Sequence, residues 1–215
     1  MPSLSDVVVD TWVQGGPPNL TDLIGSVVVI EVFQVNCPGC FLYSLPKSIE
    51  LFEKYHRQGL AVIGLATAFE DYDKNTLENL QKLVTTGEVI GETLKALTRY
   101  NVLSHGRLPW KIPYPVGMDR VTAETEPVTE QRIRNYASSF LSDFDNFNED
   151  QQRSVMQQVK HYLEQKTMKA ETFERFALQG TPSCIVFDRQ GQLKDVSFGQ
   201  IDYKQAMIEH FLSEK

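Results

Sequence analysis

Two apolar runs constrain this chain's fold more than any other feature. Val27-Val28-Val29-Ile30-Glu31-Val32-Phe33 is β-branched almost throughout and is bounded by Gly25 and Cys37, and Leu60-Ala61-Val62-Ile63-Gly64-Leu65-Ala66 is a second run of the same kind. Runs this short, apolar at every register position, are strands covered on both faces in a parallel sheet. Between them Leu45, Ile49, Phe52 and Tyr55 recur at spacings of three and four, a helical stripe, and Gly59 supplies a stop. Strand, helix, strand in this order predicts a βαβ unit.

The flanking sequence is less regular. Gly15-Gly16-Pro17-Pro18 makes residues 1–25 a loop-rich lead-in. Residues 74–100 read as two helical pieces broken near Thr86-Gly87, and Pro109, Pro113 and Pro115 make residues 101–119 loop-like, with a short extended piece at 114–119. Residues 121–170 are polar and mostly helical in composition. A helix over residues 172–178 ends at Gly180, and Cys184-Ile185-Val186-Phe187 is a strand. Arg189-Gln190-Gly191-Gln192 signals a hairpin to a partner strand over residues 193–198, and residues 203–213 form a closing helix.

At 215 residues and 41% hydrophobic, the chain can bury a core without a disulfide scaffold. Its net charge of -7 argues against nucleic acid and anionic membrane as partners, since both are held by clustered Lys and Arg. The longest apolar segment, residues 27–35, is interrupted by Glu31 and is too short to span a bilayer. The N-terminal residues lack the basic and apolar stretches of a signal peptide, and three cysteines do not make a secreted framework. A soluble chain in a reducing, cytoplasmic setting is the expectation.

The chemistry concentrates at Cys37-Pro38-Gly39-Cys40, where a buried strand gives way to a helix. A helix N-terminus carries partial positive charge and unsatisfied N–H groups, which stabilise a thiolate. Cys37 is therefore the candidate attacking thiol, and Cys40, one turn on, the thiol that resolves a mixed disulfide. Pro38 suits a first helical turn. Two other readings stand beside this one. A structural zinc site needs four ligands, of which the pair supplies two, and His56, His105, His161 and His210 show no ligand spacing. Two inert cysteines are the other.

Two further residues draw notice. Pro182, in Gly180-Thr181-Pro182-Ser183, is at minimum the start of a strand. The sharper reading is a cis-proline beside the dithiol, presenting the Thr181 backbone to an extended substrate. Glu31 is a carboxylate inside an apolar strand. Either its head reaches solvent or a lysine, or it is buried with a raised pKa and exchanges a proton with Cys40.

The stretch Glu31 to Cys40, with Gly180-Thr181-Pro182 far downstream, resembles the thioredoxin superfamily, in the style of its TlpA-like and redoxin (AhpC/TSA-type) thiol-disulfide oxidoreductases. Residues 115–119 and 187–191 fit the same style, and the resemblance covers about residues 10–119 and 172–213. It implies Cys37 as nucleophile, Cys40 as resolving thiol, Glu31 as the buried acid six residues before the nucleophile, and Pro182 as the cis-proline. Asn36, Pro38, Gly39 and Thr181 would face the substrate. Asn36 stands where thioredoxins have Trp, and Pro-Gly replaces Gly-Pro inside the motif, which implies a different partner surface and reduction potential. Peroxiredoxins share the fold but carry Thr or Ser three residues before the peroxidatic cysteine; here that residue is Gln34, and the proline expected seven before is Ile30. Cys184 is read as a small buried hydrophobe.

The expectation is therefore an α/β chain with a thioredoxin-like fold, a central mixed sheet flanked by helices, forming one domain over residues 1–215 with a helical insertion at about 120–170. The expected activity is thiol-disulfide exchange on a protein or small-molecule disulfide, with no bound cofactor or metal and with electrons from a thioredoxin or glutathione system. A thiol peroxidase with antioxidant activity and a non-enzymatic binding module are the alternatives.

Overall fold

The computed structural model describes residues 2–17, 19–141, 143–199 and 204–214, the side chain of Lys204 excepted. In chain order the elements are β1 (Val9–Gln14), β2 (Val27–Phe33), α1 (Leu45–Tyr55), β3 (Leu60–Ala66), α2 (Leu77–Thr86), α3 (Gly91–Arg99), β4 (Val116–Asp119), β5 (Val121–Ala123), α4 (Glu130–Phe140), α5 (Glu149–Gln165), β6 (Met168–Ala170), α6 (Glu171–Arg175), β7 (Ser183–Phe187), β8 (Leu193–Phe198) and α7 (Lys204–Ser213). They divide into two compact units, Met1–Arg120 with Ala170–Lys215, and Val121–Lys169.

The larger unit is built on a six-stranded sheet in the order β1-β4-β3-β2-β7-β8, flanked by helices. The apolar runs explain its centre. All seven residues of β2 are buried, and β2 pairs in parallel with β3 along its whole length, Val27 opposite Leu60 through Phe33 opposite Ala66. That parallel pair with α1 between is the expected βαβ unit. β4 continues the parallel set beside β3, while β7 runs antiparallel to β2 and β8 antiparallel to β7. The turn from β7 to β8 uses Gly191 at φ +72°, where a side chain would be strained. A 3-10 turn over His56–Gln58 follows α1, and the helical backbone stops as expected at Gly59, at φ +97°.

Several expectations need correction. The lead-in is not merely loop: Val9–Gln14 forms edge strand β1, antiparallel to β4, with two bulges. Its β-prone Val9, Thr11, Trp12 and Val13 supply the propensity. Gly117 in β4 supplies the space, because a Cβ there would stand 2.3 Å from Val9 and 3.1 Å from the Trp12 ring. The helix expected over residues 172–178 is α6, only five residues long, because the chain turns through positive φ at Ala177. Asp119, buried at the end of β4, accepts from the backbone N–H groups of Thr172 and Phe173 and from the Thr67 hydroxyl, which pins the start of α6 to the sheet. Tyr203, where the closing helix was expected to begin, lies outside the described residues, as does Pro18.

The smaller unit holds α4 and α5, whose Tyr136 and Tyr162 rings lie 5.5 Å apart, and contributes to a two-stranded sheet of β5 and β6 that its polar composition did not announce. Glu124 anchors it. Burial raises the Glu124 carboxyl, but the Glu126 N–H, Lys166 at 3.0 Å and Arg132 at 2.7 Å outweigh that and hold it at about 2.

Candidate active site

The strand β2 ends at Phe33, the chain turns through Gln34, Val35 and Asn36, and helical backbone begins at Pro38. The first turn is wide: residues Cys40–Ser44 form a π-turn in which the Leu45 N–H reaches back to the Cys40 carbonyl, and α1 follows directly. Such turns re-aim the side chains of a helix at its start. Here the turn leads into Ser44, whose hydroxyl donates to the Glu31 carboxylate in β2.

Cys37 and Cys40 are joined by a disulfide with their Cα atoms 5.4 Å apart. The two sulfurs are not equivalent. Cys37 is 8% exposed and Cys40 is wholly buried. The Cys40 backbone N–H, in the first turn of the helix, is shared between the Cys37 Sγ and the Cys37 carbonyl oxygen, each at 3.1 Å. On reduction this N–H and the helix dipole stabilise a Cys37 thiolate. The carbonyl oxygen of Thr181 lies 3.5 Å from the same sulfur. The Thr181–Pro182 peptide bond is cis, and Pro182 packs beside Gly39, whose missing Cβ would sit 3.8 Å from the proline ring. Fold topology thus gathers Cys37, Cys40, Gly39, Thr181 and Pro182 from two segments more than a hundred residues apart in sequence.

Glu31 lies in β2, six residues before Cys37, in register with Gly64 on one side and Cys184 on the other. It is wholly buried, so its head reaches no solvent, and its Oε2 is without a hydrogen-bond partner among the described residues. Burial pushes the carboxyl up to about 8, against the lowering effect of the Ser44 hydroxyl. Removing that hydroxyl therefore raises it further. Ser44→Ala should move the Glu31 titration midpoint to higher pH, readable as the carboxyl carbon shift in an NMR titration of the labelled protein; an unchanged or lower midpoint would contradict this. Cys184, outside the disulfide, is 2% exposed.

Asn36 is committed to the protein itself. Its Nδ2 donates to Asp71 at 2.6 Å, its Oδ1 accepts the Glu92 N–H at 2.7 Å, and its own N–H donates to Asn75 at 3.0 Å. The residue before Cys37 thus ties the turn after β2 to the loop before α2 and the start of α3. Gly91 makes this possible: its φ is +55°, and a Cβ there would stand 2.2 Å from the Asn36 oxygen. Gly91→Ala combines a left-handed backbone cost of about 1–2 kcal/mol with loss of that contact. A drop of roughly 2–3 kcal/mol in unfolding free energy is the expected result of denaturant titration.

Three contributors were not picked out from the sequence as site residues. Ser44 reveals itself only through the π-turn. Gln34, 2% exposed, was noted only as a departure from the peroxiredoxin pattern, yet its Oε1 accepts the Thr181 hydroxyl at 2.9 Å and its Nε2 donates to the Glu70 carbonyl at 3.2 Å. Trp110, from the proline-rich loop, stacks on Phe41 beside Cys40 with ring centroids 6.4 Å apart. Among the described residues no group of His, Cys, Asp and Glu is arranged to hold a metal ion, and no helix is long and apolar enough to cross a membrane.

No family model and no curated protein matches the chain. Solved structures do. The chain is similar to a thiol-disulfide isomerase from Corynebacterium glutamicum, 24% identical over 100% of this chain and 97% of that one, with a TM-score of 0.59. It is similar to a thioredoxin-like superfamily protein, 21% identical over 99% and 97% of the two chains, also at 0.59. A thioredoxin-like protein solved in its oxidised form is 14% identical over 99% and 96%, at 0.53. The fold is thioredoxin-like.

Proposed function

We propose that this thioredoxin-like chain is a thiol-disulfide oxidoreductase that works through a mixed disulfide at Cys37. The observation that carries the reading is the asymmetry of the pair: Cys37 keeps 8% of its surface exposed and has a helix N–H on its sulfur, whereas Cys40 is wholly buried. In the reducing direction, the Cys37 thiolate attacks one sulfur of a substrate disulfide, and the other substrate sulfur leaves as a thiolate. The Cys40 thiol loses its proton and attacks the Cys37 sulfur of the mixed disulfide. The second substrate thiolate departs, and Cys37–Cys40 is left oxidised. Two electrons pass from the dithiol to the substrate, and a thioredoxin-type dithiol, or two glutathione-type thiols, restores Cys37 and Cys40 to thiols and is itself left as a disulfide. The same steps reversed oxidise a substrate dithiol.

Glu31 fits the proton step. A carboxyl with a pKa near 8 is mostly protonated at neutral pH but keeps an ionised minority, and that carboxylate form is suited to take the Cys40 proton and return it. Ser44, one turn beyond Cys40, holds its orientation. The test is turbidimetric insulin reduction with dithiothreitol as donor. Acceleration by the wild type that disappears in Cys37→Ser supports the proposal, and precipitation no faster than with dithiothreitol alone rules it out.

A further inference from the structure

We infer that Gln34 is a positioning residue for polypeptide substrates, acting through Thr181 on the chain segment that lies against Cys37. The inference rests on the exchange activity proposed above and adds to it a determinant of substrate class. An extended polypeptide disulfide would depend on the Gln34–Thr181 link, and a small disulfide would not.

The geometry is a two-ended clamp. Gln34 sits at the end of β2, three residues before Cys37, with its amide buried. An amide in such a place costs free energy unless both ends are satisfied. Both are: one end receives the Thr181 hydroxyl and the other donates to the Glu70 carbonyl, which also accepts from Asn75 at 2.9 Å. The same loop is tied to Asn36 through Asn75 and Asp71. Thr181 is thus fastened to the framework that holds the active-site turn. β7 begins only at Ser183, opposite Val32, so Thr181 lies outside the sheet's ladder. Its position beside the sulfur is set by the Gln34 bond on one side and on the other by the neighbouring contacts of Ser183 with the Gly180 carbonyl and of Gly199 with the Pro182 carbonyl. Backbone outside a ladder can pair with an extended chain by main-chain hydrogen bonding, as a sheet edge does. A fixed backbone spares a polypeptide the ordering cost of that pairing. A small aromatic disulfide needs only the Cys37 sulfur.

The experiment compares Thr181→Val and Gln34→Met with wild type on two substrates. Thr181→Val keeps the shape and removes the donor, and Gln34→Met keeps the bulk and removes the acceptor. Thr181→Ser, which retains the hydroxyl, is the rescue. For insulin, with dithiothreitol as donor, each of the first two should raise KM about tenfold with kcat within about twofold, as for one lost hydrogen bond of positioning. The double variant should be no worse than either single, since both remove one bond, and Thr181→Ser should stay close to wild type. For pre-reduced protein reacting with 5,5′-dithiobis(2-nitrobenzoate), Gln34→Met should match wild type within about twofold. Equal losses on both substrates, an unchanged KM for insulin, or additive losses in the double variant would overturn the inference while leaving the exchange activity standing. A wild type inert to both substrates would instead bring down the activity and this inference with it.

Discussion

Cys37→Ser is expected to leave insulin reduction at the dithiothreitol background, a loss on the order of 10²-fold or more, while Cys40→Ser accumulates a covalent adduct with the substrate. The two outcomes differ because the two sulfurs differ. The serine hydroxyl is not ionised near neutral pH, so the helix N–H that Cys40 offers at 3.1 Å has no anion to stabilise and no nucleophile is made. Removing Cys40 leaves that nucleophile in place. Cys37, 8% exposed, still attacks, but nothing beneath it displaces the bound substrate. A non-reducing gel and intact-mass measurement of Cys40→Ser incubated with insulin should show one adduct per chain, released by excess dithiothreitol. If instead Cys40→Ser reduced insulin at the wild-type rate, or if adducts formed at residue 40 in Cys37→Ser, the assignment of roles would be reversed or lost.

What could be read in advance follows from how local the cause was. β2 and β3 were legible because burial on both faces leaves a nearly unbroken apolar run, Glu31 excepted, and that imprint needs no knowledge of partners. The dithiol was legible because its chemistry depends on a strand end, a helix start and a spacing of three, all within fourteen residues of sequence. β1 was not. It is an edge strand, half-buried along most of its length and broken by bulges, and what allows it is an absent side chain at Gly117. β5 and β6, three residues each, are too short for any periodicity to register. The environment of the site was partly hidden for a different reason. That Glu31 is sealed from solvent depends on the sheet's neighbours. That Ser44 meets it depends on a π-turn that shifts the helical phase. That Gln34 meets Thr181 depends on a contact across 147 residues of chain. Asn36 was expected to face substrate, yet its side chain is engaged with Asp71 and the start of α3, a use that no single residue type declares.

Glu31 is where the energetic consequence is largest. Its carboxyl is wholly buried, and burial pushes its pKa from 4.5 to about 8. The folded chain therefore keeps a proton that the unfolded chain releases. Stability is fully present below pH 4.5, falls as pH rises through the interval up to about 8, and levels off above it. At about 1.4 kcal/mol per pH unit, the loss across that interval is on the order of 5 kcal/mol, an upper bound if water enters the site when the group ionises. Glu31→Gln removes the titration. Urea midpoints of the oxidised variant should be nearly independent of pH between 5 and 8.5, whereas those of the wild type fall, so that the variant is the more stable protein at pH 8.5 by several kcal/mol. The Gln amide cannot take the Cys40 proton, so the same variant should reduce insulin more slowly, by roughly 10²-fold if the carboxyl serves as the general base. Stability gained and activity lost in one substitution is the signature of a group kept buried for its chemistry. Parallel stability profiles for the two proteins would mean that Glu31 ionises normally, and with that its fitness for the proton step would be gone.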